Sequence, residues 1–388
     1  MTIFREQFEN VRNLVQYEDF NLLTKRIIDF TLDTENIDFY KKVVTFLDWL
    51  DNDISNNKEE KTARYSTLLD ELYQYLINKP TVSKTSTPLL SASNLIKSYK
   101  NSGFALGPIS FHVNEGEIIG LVGENGNGKT TLLRSLCGEL SPTGGEIKYL
   151  FPHKDEYDLR SKLIYIPQRT NSWQGSLLSN LRFTAASYGI LGEENMLTVE
   201  LIVARMGLRK YRSYSWKNLS SGYKMRFELA RALLRKPKLL LIDEPLANLD
   251  ILAQQVVLDD FKDIANSPFR PLGIILSSQQ LYEVEKTSDR AIFLKEGAPR
   301  NLSNDTDVTY TEIPKFIIEF ESSWNQEKLH TTFTSLNLEK LQINGGTYVA
   351  SFPENVTQED FLKTVLEQQI PITYFRNISN STRRFFLS

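Results

Sequence analysis

The sequence predicts an α/β protein with a helical region before the α/β region and a small α+β region after it. Three observations lead to this prediction. Apolar residues repeat with helical spacing over residues 1–80, short apolar runs alternate with helical patterns over 89–304, and residues 310–388 follow the order β-α-β-β-α-β. Residues 81–88 are polar and bounded by prolines, which predicts a linker.

The first region, residues 1–80, predicts a small bundle of about four helices. Its apolar side chains step by three and four residues, and helix breaks are expected near Asp19, over 33–36 and over 51–58. The region holds 10 Lys and Arg against 15 Asp and Glu, a net charge of −5. A nucleic-acid-binding arm would be basic, so no nucleic-acid partner is expected.

The second region contains continuous apolar runs that predict buried strands. They are Ile118–Val122, Leu239–Ile242, 273–277 and 291–294. Apolar runs without alternation are typical of parallel strands that helices cover on both faces. In such open sheets, ligands bind at the carboxyl ends of the strands.

The third region predicts a ferredoxin-like split unit. Between its middle strands, Gly345 and Gly346 indicate a hairpin. The predicted elements are strand 315–321, helix 325–336, strand 338–343, strand 347–352, helix 357–368 and strand 372–376.

Length and composition place the 388-residue chain among globular proteins, with 41% hydrophobic and 24% charged residues and a net charge of −3. No apolar run reaches the roughly 18 to 20 residues that cross a bilayer, and the amino terminus has no signal-peptide pattern. The single cysteine, Cys137, excludes an internal disulfide and lies on an apolar helix face, where packing is expected.

A glycine-rich loop follows the first buried strand and carries the pattern G-x-x-x-x-G-K-[ST]. Glycines let the backbone curl so that successive N–H groups face an anion, and a helix predicted over 130–140 adds the partial positive charge of its amino terminus. Nucleoside triphosphate binding is therefore predicted. The loop residues are Gly123, Glu124, Asn125, Gly126, Asn127, Gly128, Lys129, Thr130 and Thr131.

Within this loop, Lys129 is expected to reach the β- and γ-phosphates, and the Thr130 hydroxyl to ligate Mg²⁺. Thr131 can bond a further phosphate oxygen. Two carboxylates follow the strand Leu239–Ile242. Asp243 is predicted to hold Mg²⁺ through water, and Glu244 to act as general base on the attacking water.

A serine-rich segment, Leu219-Ser220-Ser221-Gly222-Tyr223, precedes a helix predicted from Lys224. These residues can simply cap the helix, or they can offer a hydroxyl and N–H groups to a γ-phosphate. With the loop and the carboxylates in this order, the region resembles an ATP-binding cassette (ABC) ATPase, whose signature usually reads Leu-Ser-Gly-Gly-Gln. Ser221 and Tyr223 depart from that signature.

The resemblance implies a P-loop ABC-type nucleotide-binding domain in which Ser220, Ser221 and Gly222 bind ATP held by a second cassette. The functional unit would then be a homo- or heterodimer. Asp250, in Ala247-Asn248-Leu249-Asp250, resembles the family's D-loop aspartate at that contact. Tyr99 resembles the aromatic residue that stacks on adenine, although core packing is the alternative for this side chain.

Two glutamines complete the resemblance. Gln168 resembles the glutamine that senses Mg²⁺ and the attacking water. Gln279 stands where the family has a histidine, and the chain's histidines, His112, His153 and His330, lie elsewhere. The amide of Gln279 can hydrogen-bond a γ-phosphate but cannot titrate. The sequence therefore predicts an active ATPase of altered turnover that depends on Glu244 and Gln168. The alternative is that Gln279 is a tolerated polar substitution without effect on the mechanism.

The cellular role follows from the family. Residues 169–190 resemble the segment of exporter cassettes that receives a separate membrane permease, and residues 310–388, ending in 383–387, resemble the accessory domain of drug-exporter-like ABC-2 subunits. The expected protein is an exporter's ATPase subunit at the inner face of the cell membrane. The alternative is a soluble ABC ATPase that remodels or regulates a macromolecular partner and does not act in transport. We recognise no family counterpart of the bundle, which can dock a partner, regulate the dimer or stabilise it.

Overall fold

The structure, a computed structural model, describes residues 3–53, 57–82, 88–100, 103–247, 249–279, 284, 286–301, 316–344 and 346–379. The chain divides into two compact units. The first consists of Met1–Gln279 and Thr287–Arg300, and the second of Gln280–Lys286 and Asn301–Ser388.

The amino-terminal region is helical, as the sequence predicts. Its helices are α1 (Ile3–Gln16), α2 (Phe20–Thr34), α3 (Ile37–Asn52) and α4 (Lys58–Leu76). The predicted breaks coincide with amino-terminal caps, because the side chains of Asp19, Asn36 and Asn57 accept hydrogen bonds from the first backbone N–H groups of α2, α3 and α4.

Aromatic rings fill the centre of this bundle. Phe4 meets Phe30 edge to face with ring centroids 5.6 Å apart, and the centroid of Phe8 lies 4.7 Å from that of Tyr73. The bundle belongs to the same compact unit as the α/β region. A separate domain ending at residue 80 therefore stays a prediction. The predicted linker, 81–88, lies outside the described residues over 83–87.

The α/β region follows. Its strands are β1 (Pro88–Ser98), β2 (Ala105–Asn114), β3 (Ile118–Val122), β4 (Gly144–Tyr149), β5 (Leu163–Ile166), β6 (Leu239–Ile242), β7 (Gly273–Ser278), β8 (Arg290–Lys295) and β9 (Ala298–Asn301). Its helices are α5 (Lys129–Leu136), α6 (Glu156–Lys162), α7 (Leu177–Ser187), α8 (Gly192–Arg205), α9 (Ser221–Leu234) and α10 (Ile251–Ala265). Short 3₁₀ turns occupy Arg209–Tyr211 and Trp216–Asn218.

The main sheet has the strand order β5-β6-β7-β3-β8-β9. Its pairs β5–β6, β6–β7, β7–β3 and β3–β8 are parallel. Every residue of β3, β6 and β7 is buried, which confirms the prediction of strands covered on both faces, whereas β8 is mostly half-buried. The carboxyl ends of β5, β6, β7 and β3 therefore lie at one edge of the sheet.

A second, antiparallel sheet has the order β2-β1-β4. Its strands have no continuous apolar run that would predict them, because each mixes buried and exposed positions. Apolar residues of this sheet, such as Leu90 and Val113, share one hydrophobic cluster with Leu132 of α5 and Leu241 of β6.

The second unit has the predicted β-α-β-β-α-β order. Its elements are β10 (Phe316–Ser322), α11 (Gln326–Phe333), β11 (Lys340–Asn344), β12 (Thr347–Phe352), α12 (Gln358–Glu367) and β13 (Ile372–Asn377). Strand order β11-β12-β10-β13 with antiparallel pairing is that of a ferredoxin-like unit. Gly346 has the left-handed φ of 95° expected of a hairpin glycine, while Gly345 and residues 383–387 lie outside the described residues.

No helix in the part of the chain that the structure describes combines the length and apolar character needed to span a membrane.

Candidate functional site

The glycine-rich loop leaves β3 at a point where a side chain does not fit. A Cβ on Gly123 would lie 2.5 Å from the backbone oxygen of Leu294, and Gly126 and Gly128 have φ values of 86° and 97°. Helix α5 begins at Lys129 and ends at Leu136, where the sequence predicted 130–140. It ends early because Gly138, with φ of 74°, turns the chain away.

Lys129 lies across this loop. Its buried ammonium donates to the backbone oxygen of Gly123 at 2.6 Å and to that of Glu124 at 3.3 Å. It also lies 3.1 Å from Glu244 Oε1, which accepts no hydrogen bond of good geometry within the described residues. The structure thus brings the predicted phosphate-binding cation and the predicted general base into direct contact.

Asp243 receives three hydroxyl groups. The hydroxyl of Thr130 donates to Asp243 Oδ2 at 2.7 Å, and that of Ser277 to Oδ1 at 2.6 Å. A third hydroxyl, from Tyr165, lies 3.3 Å from Oδ2. Asp243 is buried, so these donors replace water around its carboxylate.

Ser277 and Tyr165 are site residues that the sequence did not predict. Tyr165 lies in β5 and Ser277 in β7, the two strands that flank β6. The available signal was a polar residue near the end of each apolar run. Burial, and next the charge of Asp243, raise the pKa of Tyr165, so its hydroxyl stays protonated and able to donate.

Glu244 has an unusual backbone conformation. Its φ of 49° lies in the left-handed region, which is uncommon for residues other than glycine and costs on the order of 1 kcal/mol or more. Its backbone N–H donates to Ser277 Oγ at 2.8 Å. One buried serine hydroxyl therefore holds both carboxylate-bearing residues that follow β6.

The remaining residues of the glycine-rich loop contribute mainly backbone groups to the surface of the site. Glu124, Asn125 and Gly126 are exposed, and Thr131 is half-buried at the start of α5. The side chain of Asn127 is bound to the chain after β8, because its Oδ1 accepts a hydrogen bond of 2.9 Å from the backbone N–H of Glu296. This bond fixes the loop against the end of the neighbouring strand.

Gln168 and Gln279 are exposed residues that follow β5 and β7. They lie at the same edge of the sheet as Glu244, which follows β6. Tyr99 follows β1 and is 40% exposed, with Lys97 Nζ 5.4 Å from its ring centroid. Among the residues that the structure describes, these three side chains form no hydrogen bond or ion pair with the Lys129, Asp243 and Glu244 cluster, and their predicted roles stay predictions.

The serine segment forms a helix cap. Helix α9 begins at Ser221, three residues before the predicted start, and the hydroxyl of Ser220 accepts a hydrogen bond of 3.4 Å from the N–H of Tyr223. The Tyr223 ring packs on Tyr211 with centroids 4.0 Å apart. Around Gly222, a Cβ would meet only ordinary contacts, 3.6 Å from Leu249 and 3.8 Å from Ala253.

Asp250 also caps a helix, since its side chain accepts a hydrogen bond of 2.8 Å from the N–H of Ala253 in α10. The next two side chains, Ile251 and Leu252, are 82% and 80% exposed. Asn248 lies outside the described residues. The contact of Asp250 and of Ser220 to Gly222 with a second cassette stays a prediction.

Residues 106–247 match the family model described as ABC transporter. One relative, an uncharacterized ABC transporter ATP-binding protein, YxlF of Bacillus subtilis, is 34% identical over 54% of this chain and 68% of its own length. Another, the phosphonates import ATP-binding protein PhnC of Treponema denticola, is 30% identical over 65% of this chain and 97% of its own length.

A solved structure shares the fold of the α/β region. It is cbiO1 from Clostridium perfringens, described as part of the ABC transporter complex cbiONQ, with a TM-score of 0.50 and 24% identity over 55% of this chain and 87% of that one. The matched residues include the glycine-rich loop, the serine segment and both carboxylates. The chain therefore belongs to the ATP-binding proteins of the ABC transporter family.

Proposed function

We propose that this protein hydrolyses ATP with Mg²⁺ and thereby drives a separate membrane permease. The observation that carries the proposal is the convergence of Lys129, Thr130, Asp243 and Glu244 at the carboxyl ends of β3 and β6. A cation, a hydroxyl and two carboxylates at such an edge are the groups that phosphoryl transfer to water requires.

The residues present fit a magnesium ion. Mg²⁺ in such sites takes one or two carboxylates, hydroxyls and substrate phosphate oxygens, and Thr130 Oγ1 and Asp243 Oδ2 already lie 2.7 Å apart. Gln168, at the same edge, would complete the set. When bound, the ion would neutralise charge that develops on the β- and γ-phosphates.

The chain's own residues would divide the remaining work. Backbone N–H groups of residues 123–131 and the start of α5 bind the phosphates. Movement of the Lys129 ammonium from Glu244 to the phosphates frees the carboxylate to accept a proton from the attacking water. Tyr99 stacks on adenine, and Gln279 hydrogen-bonds the γ-phosphate without titrating.

We further propose that the γ-phosphate side of each site is completed by Ser220, Ser221 and Gly222 of a second cassette, with Asp250 at the contact. Exposure of Ser220 and Ser221 at the start of α9, and of Ile251 beside Asp250, supports this arrangement. ATP binding would then close a homo- or heterodimer, and hydrolysis would reopen it.

Hydrolysis is tested by phosphate release from ATP with Mg²⁺. Wild-type protein is expected to turn over, and Glu244→Gln to lose at least about a hundredfold in kcat while it still binds ATP. Glu139→Gln is the matched control, because Glu139 is an exposed carboxylate that pairs with Arg134 of α5, whereas Glu244 pairs with Lys129. Equal rates in wild type and Glu244→Gln would contradict the proposed base.

The permease is tested by isolating the native protein from cell membranes. We expect a polytopic partner to co-purify and the protein to lie peripherally at the inner membrane face. A protein that stays in the soluble fraction without such a partner would favour the alternative, a soluble ABC ATPase that remodels or regulates a macromolecular partner.

Export is the proposed direction, supported by the resemblance of residues 169–190 and 310–388 to exporter subunits. PhnC of Treponema denticola is named an import protein, so direction needs its own test. In proteoliposomes of the complex with the cassettes outside, an exporter's ATPase is stimulated by solutes added on the ATP side. Stimulation only by solutes loaded in the lumen would indicate import.

A further inference from the structure

The amino-terminal bundle is bound to the α/β region at the segment that leads to the serine motif. Arg209, in the 3₁₀ turn after α8, forms ion pairs with Asp48 and Asp51 of α3, the latter at 3.0 Å. Lys41 of α3 lies 3.0 Å from Glu193 of α8. Eleven residues beyond Arg209, the chain reaches Ser220.

A second attachment lies in the interior. Arg205, the last residue of α8, is 1% exposed. Its Nε lies 2.7 Å from Asp29 of α2, and its Nη1 and Nη2 lie 2.6 Å and 3.4 Å from Asp260 and Asp263 of α10. Lys25 of α2 adds a contact of 2.8 Å to Asp260. One guanidinium therefore joins the bundle, α8 and α10.

Arg205 keeps its charge in this position. Burial by itself lowers the pKa of Arg205, but Asp29 and Asp260 outweigh it and hold the pKa above its ordinary value. A buried charge of this kind tolerates little displacement, because moving one partner leaves another uncompensated. The network therefore favours one relative position of α8 and α10.

The bundle also holds the chain after α10. The guanidinium of Arg270 lies 2.7 Å from the buried Asp33 of α2, and the centroid of Phe269 lies 5.2 Å from that of Phe4. The side-chain amide of Gln7 donates to the backbone oxygen of Asn266 at 2.8 Å. The contacts of the bundle with α10 thus lie in the carboxyl-terminal half of the helix and just beyond its end, while Asp250 caps its start.

We propose that the bundle is a brace which, through Arg205 and Arg209, fixes α8 relative to α10 and so presents Ser220 to Gly222 and Asp250 together to a second cassette. Arg205 is then a positioning residue for ATP-driven closure. The inference rests on the proposed dimer and goes beyond it, because the dimer alone assigns the bundle no role.

The physical reason is preorganisation. A cassette whose two interface motifs move independently must order both when the dimer closes, and that loss of freedom weakens association. A brace removes this cost before the partner arrives. Loosening the brace should therefore raise the ATP concentration that closure requires, while nucleotide binding to a single cassette stays the same.

The test uses full-length Glu244→Gln protein and measures its dimer fraction by light scattering against ATP concentration. The double variant Asp48→Asn, Asp51→Asn removes the two exposed carboxylates that pair with Arg209. Asp29→Asn weakens the buried ion pair with Arg205. Asp70→Asn is the control, because the exposed Asp70 pairs at 2.7 Å with Arg12, which belongs to the bundle itself. ADP affinity and thermal unfolding are measured for each protein.

We expect the Asp48→Asn and Asp51→Asn protein to need about threefold or more ATP for half-maximal dimerisation, with ADP affinity unchanged and Asp70→Asn like the parent. Since these side chains are exposed, folding should persist even where Asp29→Asn unfolds. If the double variant dimerised half-maximally at the same or a lower ATP concentration than the parent, the brace would be overturned and the proposed dimer would stand. A Glu244→Gln parent that never dimerises would contradict the proposed homodimer and, with it, a brace that acts on closure between two copies of this chain.

Discussion

The hydroxyl of Ser277 donates a hydrogen bond of 2.6 Å to Asp243 Oδ1, which joins the end of β7 to the carboxylate that follows β6. Both residues are buried. The same hydroxyl accepts a hydrogen bond of 2.8 Å from the backbone N–H of Glu244, so it positions both the predicted Mg²⁺ ligand and the predicted general base. A serine, with one donor and two acceptor positions, can do this in the space available.

Replacing Ser277 by alanine should lower both stability and turnover. The change leaves the Glu244 N–H and one Asp243 oxygen without this partner, at a cost of about 1–3 kcal/mol in unfolding free energy, measured by denaturant titration. Hydrolysis should fall more than ATP affinity, because the displaced groups act on the reacting phosphate. Ser135→Ala is the control: Ser135 is also buried and donates to Thr131 O at 2.8 Å, yet it contacts neither carboxylate.

Tyr165→Phe should have a smaller effect, about 1 kcal/mol or less, because Asp243 keeps its bonds from Thr130 and Ser277. Burial raises the pKa of the Tyr165 hydroxyl in the folded protein. Its stabilising contribution is therefore complete below the unfolded pKa of about 10 and is lost only as the pH rises towards the higher folded value. The stability difference between wild type and variant should stay constant from about pH 6 to 9; a difference that shrinks across that range would contradict a protonated donor.

Tyr99 gives a test of adenine stacking against core packing. Tyr99→Ala should weaken ATP binding by about 1–3 kcal/mol, measured by calorimetry, whereas Tyr99→Phe should retain most of the affinity because it keeps the ring. Tyr157→Ala, at a 75% exposed position of α6, is the control. Loss of thermal stability in Tyr99→Ala without loss of affinity would support the packing alternative.

Gln279→His introduces a titratable group at an exposed position after β7. If Gln279 limits turnover because it cannot titrate, the histidine should raise kcat by about tenfold and add an acidic limb near pH 6.5, roughly the imidazole pKa. ATP affinity should change little. Gln279→Asn controls for the loss of glutamine itself. Hydrolysis that is the same in Gln279→His and wild type would favour a tolerated polar substitution.

The local sequence predicted an element correctly where the residues that determine its structure lie within the same segment. The helices of the bundle follow from apolar spacing and from caps such as Asp19 and Asn36, and the glycine-rich loop follows from its residues alone. The ferredoxin-like order was predictable because each of its elements is short, periodic and separated by a turn. The boundaries of α5 and α9 differ from prediction because Gly138 turns the chain with its left-handed φ and Ser220 caps α9 with its side-chain hydroxyl.

Contacts between distant segments were not predictable in this way. Tyr165 and Ser277 meet Asp243 only because β5 and β7 flank β6, a strand order that sequence spacing does not reveal. Arg205 and Asp29 are 176 positions apart, and each occurs among many similar charges. Such pairs matter for stability because they are buried, and the burial of these positions is determined by the assembled fold.

Arg205 also bears on whether the bundle can be separated from the rest of its unit. Removal of the bundle would expose Arg205 and Asp260, which are buried in the folded protein. Arg205 would keep Asp260 and Asp263 as partners, but it would lose Asp29, and Asp260 would lose Lys25. Grafting the bundle onto a relative would therefore require transfer of the partner residues on α8 and α10 as well, so that no charge of the bundle is buried without its partner.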